Sequence, residues 1–185
     1  MALTSKITAY NARWPEMFLA ECQRLEKGFG GALIAFYHVG STAVPGLAAK
    51  PEIDLLAEIT PQHCESRIDD YLIRHGYVRG RDLSPGHRFY KRDYNGIRTH
   101  KIHVCIRGHE QIAAMLQFRD ALIAHEEIRN AYQALKLKLE SENKHGIKEY
   151  LKEKKPFIAN VLAGIFVYNE SGHDDERHQL IGDDK

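Results

Sequence analysis

The chain has 185 residues, of which 43% are hydrophobic and 28% charged, enough apolar material to bury a core. Its 26 basic side chains nearly cancel the 25 acidic ones. The resulting net charge of +1 argues against a dedicated nucleic-acid coat protein but leaves room for a local basic patch. Cys22, Cys64 and Cys105 are odd in number and far apart, which suits a reducing compartment and offers no metal-finger spacing.

The first residues, MALTSKITAYNARWPEMF, lack the basic-then-apolar order of a signal peptide. The late apolar run Phe157–Tyr168 falls short of the roughly twenty residues a bilayer span needs. The expectation is a cytoplasmic protein with no membrane partner. Trp14, Met17, Phe18, Cys22 and Leu25 recur at helical steps after Pro15, which predicts a helix over residues 14–27. The short run Ala32–Val39 predicts a buried strand, and Ile53–Ile59 a second. Pro61 opens a predicted helix over 61–75, and the stretch 79–86 reads as a loop. Arg88–Tyr94 and Lys101–Ile106 are two further strands. Asn95-Gly96 between them is a hairpin signal, although the connection through Ile97 to His100 reads as longer than two residues. Beyond residue 110 the period changes to helical. Three faces follow, carried by Ile112–Ile123, by Ile128–Leu139 and by Ile147–Ile165, with Pro156 expected to kink or split the last. The tail 169–185 holds six acidic residues in seventeen and almost no core former, so it is expected to be disordered. Strands first and helices last make this an α+β chain with a helical C-terminal part over about 110–168.

The chemistry concentrates in His38–Glu58, HVGSTAVPGLAAKPEIDLLAE. A strand delivers Gly40-Ser41 into a bend, and a second strand then carries Glu52-Ile53-Asp54-Leu55. Residues two apart in a strand face the same way, so Glu52 and Asp54 point together. Two carboxylates so placed repel unless a cation sits between them. Hard oxygen donors of this kind suit Mg²⁺, which keeps waters and bridges to substrate phosphates. Gly40 lets backbone approach a phosphate closely, and Ser41 can donate a hydrogen bond to it.

An apolar residue, Gly-Ser, a spacer and two acids alternating with apolar residues resemble the signature of the nucleotidyltransferase superfamily. The string HVGSTAVPGLAAKPEIDLL is similar to the hallmark of the GrpB family. GHRFY at 86–90, RTHKIHVCI at 98–106, LQFRDALIAH at 116–125, AYQALKLKL at 131–139 and YLKEKKPFI at 150–158 fit it in order. The resemblance implies one domain over residues 1–168 with a minimal nucleotidyltransferase-like fold, a small mixed sheet with flanking helices. It shows two departures. Glu52 stands where the family often has Ile, which restores the superfamily's paired acids. The third carboxylate expected on a later strand is absent from His100-Lys101-Ile102-His103-Val104-Cys105.

The expected function is Mg²⁺-dependent transfer from a nucleoside triphosphate to a small-molecule acceptor. Glu52 and Asp54 would hold the metal, and His103 would act as base. His38, Gly40, Ser41, Thr42, Lys50, Arg88, Arg98 and His100 would bind the ligand, the cations facing its phosphates. The alternative is a non-catalytic module that binds a nucleotide or phosphorylated metabolite. Arg119-Asp120 reads as an ion pair anchoring the helical part, and Lys152–Lys155 as a solvated helix face. Nothing in the sequence fixes the oligomeric state.

Overall fold

The computed structural model describes residues 5–61, 65–144 and 146–164. The acidic tail expected over 169–185 lies outside the described residues, as does Cys64. In chain order the elements are α1 (Trp14–Phe29), β1 (Leu33–Val39), β2 (Ile53–Ile59), α2 (Glu65–Arg74), β3 (Val78–Arg79), β4 (His87–Tyr94), β5 (Ile97–Ile106), α3 (Glu110–Ala124), α4 (Glu126–Glu142) and α5 (Ile147–Leu162). The strands form one mixed sheet in the order β1-β2-β5-β4-β3. Only β2 and β5 run parallel, so the chain between them must cross over, and it does so through α2, β3 and β4.

Strand β2 lies in the interior of the sheet. Ile53, Leu55, Leu56 and Ala57 are all fully buried, which explains its near-continuous apolar run. The sheet has two differently covered faces. On one, Ile53, Leu55, Ala57, Ile59, Tyr90, Ile102 and Val104 pack with Trp14, Leu25 and Phe29 of α1 and with Ile68 and Leu72 of α2. Two buried ion networks tie this face to its helices. Glu21 of α1 receives Arg24, Arg92 and the Tyr77 hydroxyl. Asp69 of α2 receives Arg79, Arg88 and the Tyr90 hydroxyl.

The other face is only partly covered. Leu56 and Cys105 meet Ile112, Met115 and Leu116 of α3 at one end. The bend after β1 packs through Val44 and Leu47 onto Phe118, Leu122, Ile128, Tyr132 and Phe157 of the C-terminal helices. Arg119 donates to the His38 carbonyl at 3.0 Å and so ties α3 to β1; the ion pair expected to anchor the helical part joins it only to the adjacent, exposed Asp120 at 2.7 Å. Between the bend, the free end of this face and α4–α5, a hollow remains.

Four details depart from the sequence-based expectation. Strand β1, expected to be buried, is an edge strand in which only Val39 is buried. The β4–β5 turn is two residues long, because Tyr94 pairs directly with Ile97. Asn95 and Gly96 both take positive φ, the conformation that two-residue hairpins favour. The loop expected at 79–86 begins with the short strand β3, which pairs through Arg79 with Tyr90. Of the two outcomes expected at Pro156, a kink or a split, the split does not occur: it lies inside one helix. Among the described residues no helix is long and apolar enough to cross a membrane.

Candidate functional site

The bend at Gly40-Ser41 and the acids of β2 meet because β1 and β2 pair antiparallel, with Val39 opposite Asp54. Gly40 has φ 72° and ψ −173°, a region essentially reserved for glycine. A Cβ placed there would sit 2.4 Å from the Asp54 Oδ2 atom, so the missing side chain is what lets the carboxyl nest against the bend. A short 3₁₀ turn, Ser41–Ala43, follows. Thr42 is buried and donates its hydroxyl to the Glu52 carbonyl at 3.1 Å. That hydroxyl hydrogen being committed, His38 Nε2–H is the donor in the 3.1 Å contact with Thr42 Oγ1. His38, Thr42 and Glu52 thus lock the bend to the start of β2.

Glu52 and Asp54 converge as the alternation predicts, and a cation does lie between them. It is the ammonium of Lys101, 2.5 Å from Glu52 Oε2 and 3.4 Å from Asp54 Oδ1. Lys101 pairs directly with Asp54 across the β2–β5 ladder, on the strand where a third carboxylate was expected. Burial raises the Asp54 carboxyl above its ordinary value, and the Lys101 charge only partly opposes this. Burial also pulls the Lys101 ammonium down, but Asp54 and Glu52 outweigh it and leave its pKa raised. Ser5 adds a 3.1 Å hydrogen bond to the other Glu52 oxygen.

Around this trio lies a hollow of about 770 Å³, of the size that small-molecule sites have. Ser41, Thr42, Lys50, Glu52, Asp54 and Arg98 line it. Ser41 also bonds the Tyr132 side chain. Lys50 lies 4.6 Å over the Tyr150 ring, and burial lowers its pKa. Arg98 pairs with Asp93 at the rim. Lys91, Lys101, Lys136 and Lys154 line it too. Six cationic side chains therefore face three acidic ones, giving the hollow a net positive character. Lys136 is buried and reaches the Ala48 carbonyl at 2.5 Å, and burial lowers its pKa to about 7. Lys154, expected on a solvated helix face, is lowered to about 8, first by burial and then by Lys101.

Gly40 borders Asp54 without itself lining the hollow, and four further expected site residues fall elsewhere, three of them on the opposite face. His38 stacks on Phe18 of α1 with ring centroids 4.7 Å apart, and burial lowers its pKa to about 4. It supports the bend from behind. Arg88 is buried against Asp69 at 2.9 Å and belongs to the α2 network. His100 is buried beside Arg92 and Glu21, and burial holds it near pKa 4. His103 shares the hollow's face but sits deeper along it, with Nδ1 2.8 Å from His87 Nε2 and its ring 5.2 Å from that of Phe89. It is not among the residues lining the hollow.

The donor chemistry bears directly on Mg²⁺. Two hard carboxylates reach one cationic centre, which is what such an ion requires. The centre they reach is an ammonium on a flexible stem whose side chain is 27% exposed. By donor type the two carboxylates suit Mg²⁺, and Lys101 holds the position between them.

The fold has distant counterparts. Cid1 poly(U) polymerase bound to Mg and 3′-dATP superposes with a TM-score of 0.54 at 11% identity, over 80% of this chain and 49% of that one. A cytoplasmic RNA terminal U-transferase gives 0.51 at 13% identity, over 85% of this chain and 47% of that one. At these identities the likeness is one of fold, and the fold is nucleotidyltransferase-like. Much nearer is the crystal structure of the conserved protein GrpB from Enterococcus faecalis, with TM-score 0.78 and 30% identity over 86% of this chain and 96% of that one. UPF0157 protein YqkA of Bacillus subtilis is 36% identical over 154 residues, 83% of this chain but 45% of YqkA. UPF0157 protein BH1888 of Halalkalibacterium halodurans is 33% identical, over 83% of this chain and 78% of its own length. The family model described as GrpB protein matches residues 4–163, and the chain belongs to the GrpB family.

Proposed function

We propose that the hollow binds the phosphates of a nucleoside triphosphate and that the chain transfers the nucleotidyl group to a hydroxyl or amine of a small acceptor. One observation carries this reading: Ser41, Glu52, Asp54 and a ring of lysines line a single hollow, with Gly40 leaving room for the Asp54 carboxyl against the bend. Ser41 offers a hydroxyl to a phosphate oxygen. Lys50, Lys91, Lys101, Lys136, Lys154 and Arg98 neutralise the phosphates and the charge that grows on the departing pyrophosphate. Glu52 and Asp54 would hold Mg²⁺, which when bound would polarise the phosphates and help orient them for in-line attack. As the acceptor's oxygen or nitrogen attaches to the α-phosphorus, the bond to the α–β bridging oxygen breaks. Pyrophosphate leaves, and the acceptor's proton is released to water. Positioning and electrostatics suffice, so no covalent nucleophile is called for.

A second reading is binding without transfer. The position of Lys101 favours it, since an ammonium pairs with Asp54 on the strand where a third acid was expected. A panel of nucleoside triphosphates with Mg²⁺ or Mn²⁺, followed by melting and by pyrophosphate release, separates the two. Transfer predicts pyrophosphate that requires the metal and vanishes in Asp54→Asn while the fold survives. Binding alone predicts a melting shift with no pyrophosphate. No shift with any nucleotide would overturn both.

A further inference from the structure

A second cluster lies farther along the same sheet face, beyond Phe89 and His103. His87 and Cys105 are directly opposed across the β4–β5 ladder. After Cys105 the chain turns through Gly108 at φ 86°, and His109 returns as the N-cap of α3. One ring nitrogen of each histidine and the Cys105 sulfur lie within 4.8 Å of one another. His87 is 1% and Cys105 0% exposed, whereas His109 is half-buried and opens the cluster toward solvent.

An independent observation points to a ligand here. His87 Nδ1 is buried and has no hydrogen-bond partner among the described residues. Its other nitrogen, Nε2, is held by His103 Nδ1 at 2.8 Å. If Nε2–H donates to His103, Nδ1 is a bare lone pair in the interior, an arrangement that leaves a buried acceptor unsatisfied. It is also how metal-binding histidines are built: one nitrogen free for the ion, the other oriented by a hydrogen bond behind it. His109 is oriented too. Its Nδ1 accepts from the Gln111 backbone N–H at 3.1 Å, so in the neutral ring Nε2 carries the proton and donates it to Ser84 Oγ at 2.9 Å.

We propose that His87, Cys105 and His109 bind a transition-metal ion of the Zn²⁺ class, with His103 as the positioning residue behind His87. One thiolate and two imidazoles suit a borderline-soft ion and not Mg²⁺. Binding releases the Cys105 thiol proton; if His109 binds through Nε2, that nitrogen's proton moves to Nδ1 and both the Ser84 contact and the Gln111 cap bond are given up, and if it binds through Nδ1 the cap bond alone is given up. Three protein donors leave a fourth position for water or a ligand atom. The ion ties the start of α3 to β4 and β5. This site is separate from the phosphate hollow, so the two ideas stand or fall independently.

The test titrates the full chain, freed of metal by a chelator, with Co²⁺. The expected result is one Co²⁺ per chain with a thiolate-to-cobalt charge-transfer band in the near ultraviolet, displaced by Zn²⁺ and not by Mg²⁺. Cys105→Ser abolishes the band, while Cys22→Ser and Asp54→Asn keep it. His103→Gln keeps the band but weakens binding about 10–100-fold. His109→Gln, at a half-buried position, covers the case in which a core variant fails to fold, and it too loses tight binding. No near-ultraviolet band in the parent chain, or a band that survives Cys105→Ser, overturns the proposal.

Discussion

Lys101→Met removes the ammonium from between two carboxylates while keeping most of the side chain's volume. Unit charges 2.5 and 3.4 Å apart attract by roughly 7 and 5 kcal/mol at an effective dielectric of about 20. Desolvation of the three groups offsets most of that. Removing one partner of a buried ionic cluster then costs about 3 kcal/mol, because the remaining charges stay buried and unpaired. In the variant, Glu52 and Asp54 face each other uncompensated. Urea unfolding at pH 7.5 without divalent ions should show the loss as a lower midpoint at unchanged slope. Adding Mg²⁺ should restore part of the stability of the variant, since the ion fills the seat the ammonium left, and should leave the parent chain nearly unchanged. Lowering the pH toward 5 should also narrow the gap, because protonating one raised carboxyl removes the repulsion. A variant as stable as the parent chain, or one that responds to Mg²⁺ no more than the parent does, would refute this reasoning.

Further outcomes concern the bend, the buried lysines and the two arginines. Gly40→Ala should lose about 1–3 kcal/mol from backbone strain alone and should lose nucleotide binding as well, because its Cβ displaces the Asp54 carboxyl; an unchanged urea midpoint would count against the tight bend. Burial holds Lys136 at about 7 and Lys154 at about 8, so both are partly neutral at pH 8. A triphosphate should recharge them, giving proton uptake at pH 8 and affinity that falls as pH rises through 7 to 8. Calorimetry in buffers of different ionisation enthalpy measures this, and a binding heat independent of buffer would contradict it. Arg98→Ala should weaken triphosphate binding about tenfold, the loss of one charge-assisted hydrogen bond, with little change in melting. Arg88→Ala should instead lower stability by about 2 kcal/mol and leave affinity alone; the reverse pattern would show that the two arginines are wrongly assigned.

The convergence of Glu52 and Asp54 was legible because strand alternation is a local rule and β2 obeys it. The same rule holds on β5, where Lys101, His103 and Cys105 share one face and His100 takes the other. What alternation could not tell was how far along the face each side chain lies, so His103 was expected in the hollow and belongs to the His87 cluster. Arg88 and Arg98 carry the same charge on neighbouring strands. Only the register, with Arg88 opposite Val104 and Asp93 opposite Arg98, separates a buried network from a rim position. Lys136 and Lys154 were invisible for another reason. Each lies on an amphipathic helix where a lysine ordinarily faces water, and only the packing of α4 and α5 over the bend turns them inward. The cluster of His87, Cys105 and His109 is not legible in the sequence, because a single cysteine and two histidines show no metal spacing until a hairpin and a tight turn bring them together.

The most direct test of the central claim is a crystal structure with a non-hydrolysable nucleoside triphosphate and Mn²⁺, the ion located by its anomalous signal. The account predicts Mn²⁺ between the Glu52 and Asp54 carboxylates, the phosphates against Ser41 and the lysines, and Lys101 moved from the acids onto a phosphate oxygen. A nucleotide bound outside the hollow, or Lys101 still seated between the two acids with the ion elsewhere, would contradict it.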